Sequence, residues 1–468
     1  MSTDLRELKL VGPAATAGKG TPPKRLQWVA WGIGGLANDM TNVITVLALP
    51  IYSIAFGLNP GLVGLALAIP RVYDAFTDPI AGSISDNLRT RWGRRRPMIF
   101  IGAILMALAF PLIWTPPASL AGGTLFAWLL GSLILFYTFQ TIWLVPWNAL
   151  GLELSPDYNE RTKIQAVRAF CATGANFLVP WAYAACLWFA SDGGERRGVL
   201  IVGLLVGLIF LLTALPPALF CREVNPDRTA AKMPFLPALR ATIVNREFQL
   251  LMGAVALFLI GYLMVLSMGL YINIHYVFGG SKDMAAKYQG LGGTVNAVAT
   301  LAAVPVAAWL AGRLGKRRAL VTGLSLVLLG KISSWWLFSP QLPWLQFGYF
   351  VLIGPGITFL WILVPSILAD ICDADAQTTG HHRQGMFSAV YTWVVKASVA
   401  ASLIIGGWLI AFAGLQGGNE VATPANIFWL RFLFGVVPAA SIAAAIYCVL
   451  KTRDAHHEDL NPGGVLSP

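Results

Sequence analysis

Twelve predominantly apolar runs, separated by short polar gaps, organise this 468-residue chain. They occupy residues 27–52, 59–84, 98–115, 121–150, 164–190, 198–221, 248–276, 285–312, 319–338, 343–369, 386–415 and 427–450. A helix needs about 20 mostly apolar residues to cross the hydrocarbon core of a bilayer. Within lipid a helix satisfies its own backbone polar groups, so runs of this length predict spanning helices. Composition agrees, with 56% of residues hydrophobic and only 12% charged. A soluble chain of this length has no interior large enough to bury that excess. The sequence therefore predicts an all-α integral membrane protein with twelve transmembrane helices.

The charges fix the expected topology. Net charge is +11, and the cations cluster in alternate gaps: "RTRWGRRRP", "CREVNPDRTAAKM", "GRLGKRR" and "GHHR". The intervening gaps at 53–58, 116–120, 339–342 and 416–426 contain no Lys or Arg, and Arg196, Arg197, Lys282 and Lys287 are the exceptions. By the positive-inside rule both termini lie in the cytoplasm, as expected for a multi-pass protein of the cell (inner) membrane. The same placement accounts for the positive charge without a nucleic-acid partner. Residues 1–26 are polar and basic and read as a cytoplasmic tail, not a signal peptide; residues 451–468 form a second tail. Five scattered cysteines have no metal-site spacing and are expected as free thiols.

The longest polar gap, 222–247, reads as a cytoplasmic linker between two six-helix bundles, 27–221 and 248–450. An internal repeat supports the division. "RWGRRR" (91–96) follows the second span and "RLGKRR" (313–318) follows the eighth. Such a repeat is expected of a transporter built from two pseudo-symmetric halves. Gly93 and Gly315 should make tight turns. Arg94, Arg95, Arg96, Arg317 and Arg318 should meet helix ends and acidic groups, with Asp370 and Asp373 as partners across the halves and Arg383 as a further gating residue.

Charged residues inside the apolar runs are costly and default to function. "RVYDAFTDPIAG" (71–82) places Arg71, Asp74 and Asp78 on one helical face. The two carboxylates repel, titrate jointly, and suit a proton or a small cation. Pro79 frees a backbone carbonyl one turn earlier. Asp39, beside Asn38, Thr41 and Asn42, marks a wet cavity in the first span. Arg168 begins the fifth span and Lys396 sits inside the eleventh, whereas Lys331 in the ninth reads as structural. Trp147, Tyr391 and Trp393 lie on cavity-forming spans, where an aromatic face can stack on a sugar. No GxxxxGK[ST], HExxH or GxSxG motif is present, so neither direct ATP drive nor an enzyme is expected.

"RVYDAFTDPIAGSISDNLRTRWGRRRP", "VPWNALGLELSPDYNERTKIQAVR" and "ADICDADAQTTGHHRQG" followed by "YTWVVKAS" together resemble the glycoside–pentoside–hexuronide:cation symporters, the melibiose-permease-like branch of the major facilitator superfamily. The similarity runs along nearly the whole chain. It implies that Asp74, Asp78 and Thr141 belong to the cation site, and that Asp39, Arg168 and Lys396 match the family's functional positions in spans one, five and eleven. Leu144 stands where sodium-using members carry an aspartate, Asn148 where a sugar-site tryptophan aligns, and Gln384 within "HRQG" where an Arg–x–Glu–Gly is common.

The expected function is symport of a sugar or glycoside by a protein acting as a monomer without a cofactor, driven by H+ or Na+. Thr77 and Thr141 can add hydroxyl ligands for sodium, yet Leu144 removes a charged one. A proton needs a single lone pair, so that loss favours proton coupling. The rivals are import of a lysolipid or other amphiphile, and a non-transporting sensor, which needs a soluble output module.

Overall fold

The computed structural model describes residues 24–155, 158–190, 194–223, 242–379, 383–415 and 422–452. Most of both tails and of the linker at 222–247 lies outside the described residues, as do His381 and His382.

The helical segments form twelve successive spans. Span 1 is broken into Lys24–Gly32, Gly34–Met40, Asn42–Ala48 and a π-helical turn, Leu49–Ala55. The breaks have local causes. The Thr41 hydroxyl donates to the Asn38 carbonyl at 2.7 Å and competes with the helical ladder. Pro50 opens the π turn because it has no N–H to donate. Span 2 is Pro60–Asn87, started by the Asn59 side chain, which accepts from the Gly61 N–H at 2.8 Å. Span 3 is Arg96–Ile113 and span 4 is Gly122–Glu153. Span 5 runs Tyr158–Leu178, a 3₁₀ turn at Val179–Trp181, then Ala182–Trp188. Span 6 comprises Gly194–Ala214 and Pro216–Phe220; span 7 comprises Arg246–Leu263, Met268–Ile272 and Asn273–Val277. Spans 8 and 9 are Lys282–Leu314 and Lys316–Leu337. Span 10 is Pro343–Leu345 with Gln346–Thr379, span 11 is Gln384–Phe412, and span 12 is Pro424–Lys451.

Ten of these, spans 3 to 12, are long and apolar enough to cross a membrane by length and hydropathy. Spans 1 and 2 are the two that carry Asp39 and Arg71, Asp74 and Asp78. Their charged and amide side chains lower the mean hydropathy. One boundary differs most from expectation. Span 10 continues to Thr379, well past 369, through "ADICDADAQTT". A polar tail does not end a helix, and Arg383 secures it by binding Asp375 at 2.8 and 3.1 Å.

The repeated loops fold alike. Gly93 has φ +102° and Gly315 φ +84°, both in the left-handed region that glycine tolerates. Arg94 binds Glu153 at the end of span 4 at 2.9 Å, and the corresponding Lys316 binds Asp370 of span 10 at 2.7 Å. Arg96 donates to the Ala218 and Leu219 carbonyls at the end of span 6. In the second loop the residue one position earlier in the repeat, Arg317, donates to the Val449 and Leu450 carbonyls at the end of span 12. Arg95 pairs with Glu153 at 2.7 Å and Asp86 at 3.3 Å, and Glu223 accepts its backbone N–H. Arg318 is exposed.

The expected pairing of these cations with Asp370 and Asp373 across the halves is therefore not what this conformation contains. Asp370 is held by Lys316 of its own half, and Asp373 is 3.5 Å from the Gln384 amide. The reason is the shape of the seam. An even number of spans returns both described ends, Lys24 and Thr452, to one face. The halves meet toward the opposite, far face. There a Cβ on Gly64 would lie 2.4 Å from the Leu403 carbonyl, and one on Gly407 2.4 Å from that of Pro60. Trp181 Nε1 donates to Thr294 at 2.9 Å, Lys282 pairs with Glu195 at 2.7 Å, and the Tyr271 hydroxyl reaches the Leu49 carbonyl at 3.4 Å. Among the described residues, hydrogen bonds and ion pairs between halves lie at this face or at mid-depth.

Candidate cation and substrate site

At mid-depth span 2 turns its charged face toward span 4. The Thr141 hydroxyl lies 3.5 Å from Asp74 Oδ1 and 3.3 Å from Asp78 Oδ1, so one donor bridges two carboxylates. Asp74 is 8% exposed, shielded from bulk water on a lipid-embedded helix. The Arg71 guanidinium lies over the Tyr137 ring at 4.6 Å and within electrostatic reach of Asp74. From the other half, the Lys396 ammonium donates to Asp78 Oδ2. That ion pair ties spans 2 and 11 across the seam.

Span 1 closes the other side. Its break at Thr41 leaves a short segment in which Asn38 Nδ2 donates to Asp39 Oδ1 at 2.9 Å. Arg168 of span 5 is within electrostatic reach of Asp39 and stacks over Trp147 with its guanidinium 5.2 Å from the ring centroid. Close approach of the two spans depends on Gly35, where a Cβ would sit 2.7 Å from the Arg168 carbonyl.

These groups surround a cavity of about 210 Å³. Span 1 contributes Asn38, Asp39, Thr41 and Asn42; span 2 contributes Arg71, Asp74 and Asp78. Span 4 adds Gln140, Thr141 and Leu144, and span 11 adds Lys396. Ten of the eleven lining side chains are polar or charged, and Leu144 is the apolar member.

The structure thus brings together Asp39, Asp74, Asp78, Thr141 and Lys396, with Arg168 directly behind Asp39. Besides Arg168, five expected residues lie outside the lining. Thr77 donates back to the Tyr73 carbonyl of its own helix at 3.3 Å. Trp147 is fully buried, stacked on Trp31 at 5.1 Å and on Trp143 at 4.9 Å. Each indole of the Trp31–Trp147 pair donates to the other's backbone carbonyl, at 2.8 and 3.1 Å. A ring covered in this way has no face for a sugar. Asn148 is exposed, Tyr391 is half-buried, and Trp393 is 57% exposed. Gln140 escaped the sequence reading, although a lone amide in an apolar run was its signal. Lys331 lies apart from the cavity. It is 2% exposed, donates to the Tyr349 hydroxyl, and has Tyr262, Tyr349 and Phe434 rings around its ammonium at 5.8, 5.0 and 5.1 Å.

The profile of the MFS/sugar transport protein family matches residues 30–452, nearly the whole chain. The chain belongs to that family, the glycoside–pentoside–hexuronide:cation symporters of the major facilitator superfamily. This symporter is similar to the glucuronide carrier protein homologue of Escherichia coli, 25% identical with 91% of this chain and 92% of that protein covered. It is also similar to the sodium-dependent lysophosphatidylcholine symporter 1-A of Danio rerio, 24% identical over 89% of this chain and 84% of that one. Among solved structures, a bacterial homologue of the human lysosomal transporter Spinster, inward-facing and unoccupied, matches with TM-score 0.68 at 19% identity, covering 93% of this symporter and 100% of that chain. That likeness shows the major facilitator fold. The protein is a multi-pass, cation-coupled symporter of the major facilitator kind.

Proposed function

We propose that this symporter carries a sugar or glycoside together with a proton, acting as a monomer in the cell inner membrane with both termini in the cytoplasm. The observation that carries this reading is the cavity itself. Its walls are hydroxyls, amides and charges, and its 210 Å³ is smaller than the roughly 300–1,000 Å³ typical of drug-sized ligand pockets. Such walls suit a small hydroxylated solute. Asp74, Asp78 and Thr141 form the cation position, and Asp39 with Arg168 and Lys396 forms the substrate position. Lys396 competes with the cation for Asp78, which couples the two halves to loading. The face bearing the termini is then the cytoplasmic one. The arginine loops keep each half rigid while the halves rock, with Gly93 and Gly315 as their turns.

A proton is favoured over sodium on ligand count. The site offers two carboxylates and one hydroxyl, with Leu144 on the wall in place of a further ligand. The zebrafish relative keeps lysolipid import as the second reading, but an acyl chain needs an apolar wall and Leu144 is a single side chain. The test is an uptake screen in membrane vesicles with proton and sodium gradients imposed separately. Accumulation of a glycoside driven by the pH gradient at zero sodium supports the reading. Strong sodium stimulation with no response to the pH gradient contradicts the proton assignment.

A further inference from the structure

The two halves repeat one another at the face bearing the termini, and the repeat separates what the fold needs there from what it does not. Arg96 caps the end of span 6 through the Ala218 and Leu219 carbonyls, and Arg317 caps the end of span 12 through those of Val449 and Leu450. Both capped helices leave through an extended residue, Cys221 in the first half and Thr452 in the second. Counted from the capping arginines, Arg318 corresponds to Pro97. Counted from the capped carbonyls, Lys451 corresponds to Phe220. The first half builds this corner with a proline and a partly exposed apolar ring, so the corner itself requires no cation at either place. The second half has two.

Both cations lie on stripes that face lipid. Span 9 packs on span 10 through Gly323 and on span 12 beside Gly435, which leaves its third side outward. That side starts at Arg318 and runs through Leu329 and Ile332 to Trp336, 67% exposed. About 27 Å of helix separates Arg318 from Trp336, close to the roughly 30 Å of a hydrocarbon core. With the indole at one interface, Arg318 reaches the headgroup layer of the other. On span 12 the exposed Tyr447 and Lys451 end the outward stripe, the ammonium 5.4 Å from the ring centroid. Arg317 ties the two helix ends together, so Arg318 and Lys451 flank one seam. Among the described residues neither forms an ion pair, and Asp370 is already taken by Lys316. Span 9 adds the positive end of a 22-residue helix.

We propose that the outer side of the seam between spans 9 and 12 binds an anionic phospholipid from the leaflet on the side of the termini. Arg318 and Lys451 hold its phosphate, and its acyl chains lie along the stripe of Leu329 and Ile332. The negative headgroup complements two cations that the protein leaves without a carboxylate. The seam lies inside one half, so the lipid stays in place while the halves rock. It braces an edge that the first half closes with apolar side chains.

Purified protein in dodecyl maltoside, titrated with dioleoyl phosphatidylglycerol or with dioleoyl phosphatidylcholine, tests this. Retained lipid is counted by native mass spectrometry, and thermal unfolding is followed in parallel. Phosphatidylglycerol should bind about tenfold tighter than phosphatidylcholine and raise the unfolding midpoint. Arg318→Gln together with Lys451→Gln should cut that preference to about twofold or less. Lys451→Gln alone, at an exposed helix end, should lose part of it. Arg89→Gln with Arg91→Gln, exposed cations of the first loop, should keep it. Equal binding of the two lipids, or a preference that survives the double substitution at Arg318 and Lys451, overturns the inference. So does glycerol phosphate reproducing the rise in midpoint, because the site would then hold a free anion. A double variant whose midpoint falls in phosphatidylcholine alone would make the two cations structural, and that also overturns it.

Discussion

Lys396, Asp78 and Thr141 form a chain of contacts that joins the two halves at one point of the membrane. Replacing Asp74 or Asp78 with Asn keeps the shape and removes a charge from that chain. Each variant is expected to lose gradient-driven accumulation while retaining more of its substrate exchange; full accumulation by both would remove the cation role. Asp39 is different, because it is proposed to serve the substrate's hydroxyls. A carboxylate accepts two hydrogen bonds from a sugar, and its loss leaves them unpaired. Asp39→Asn should weaken substrate binding about tenfold with less effect on the cation, measured by calorimetry. Unchanged substrate affinity would rule that role out. The sequence placed these carboxylates because helical spacing of three and four sets side chains on one face. It did not place Trp147, since spacing says which face a ring occupies and nothing about what covers it. The covers, Trp31 and Trp143, come from another span and from the preceding turn of span 4.

At the scale of elements, spans 2 and 11 close the far face through glycine, and the Lys282–Glu195 pair fastens it. Gly407→Val would drive a side chain into the Pro60 carbonyl and hold that seam apart. A cysteine introduced at Ser53, now 1% exposed, should then react with a membrane-impermeant maleimide from the far face about fivefold faster or more. An unchanged rate would mean that the seam closes by other contacts. At the opposite face, Arg95→Glu sets like charges against Glu153 and Asp86. Transport should slow while substrate affinity stays within about a few-fold, because the change biases states and leaves the cavity intact. A large affinity loss with normal conformational exchange would contradict that role. The basic loops were legible as a repeat, but their partners were not. Glu153 ends its helix in span 4 whereas Asp370 lies well before the end of span 10, so their shared role as partners of the loop cations shows only on folding.

For the whole molecule, twelve apolar runs sufficed to foresee twelve spans, because lipid leaves the backbone few alternatives. The breaks in span 1 and the long polar tail of span 10 were not foreseen, since both depend on side-chain contacts beyond hydropathy. Which faces are open was also beyond the sequence: the same residues serve every conformation. The central claim is that one cavity couples a cation to a substrate through Asp74 and Asp78. The most direct measurement is cation flux triggered by substrate in proteoliposomes without any imposed gradient, using a substrate identified in the uptake screen. The natural protein should draw in cation with substrate at a fixed ratio, and Asp74→Asn and Asp78→Asn should abolish that cation entry while substrate exchange continues. Undiminished substrate-driven cation entry in both variants would contradict the account.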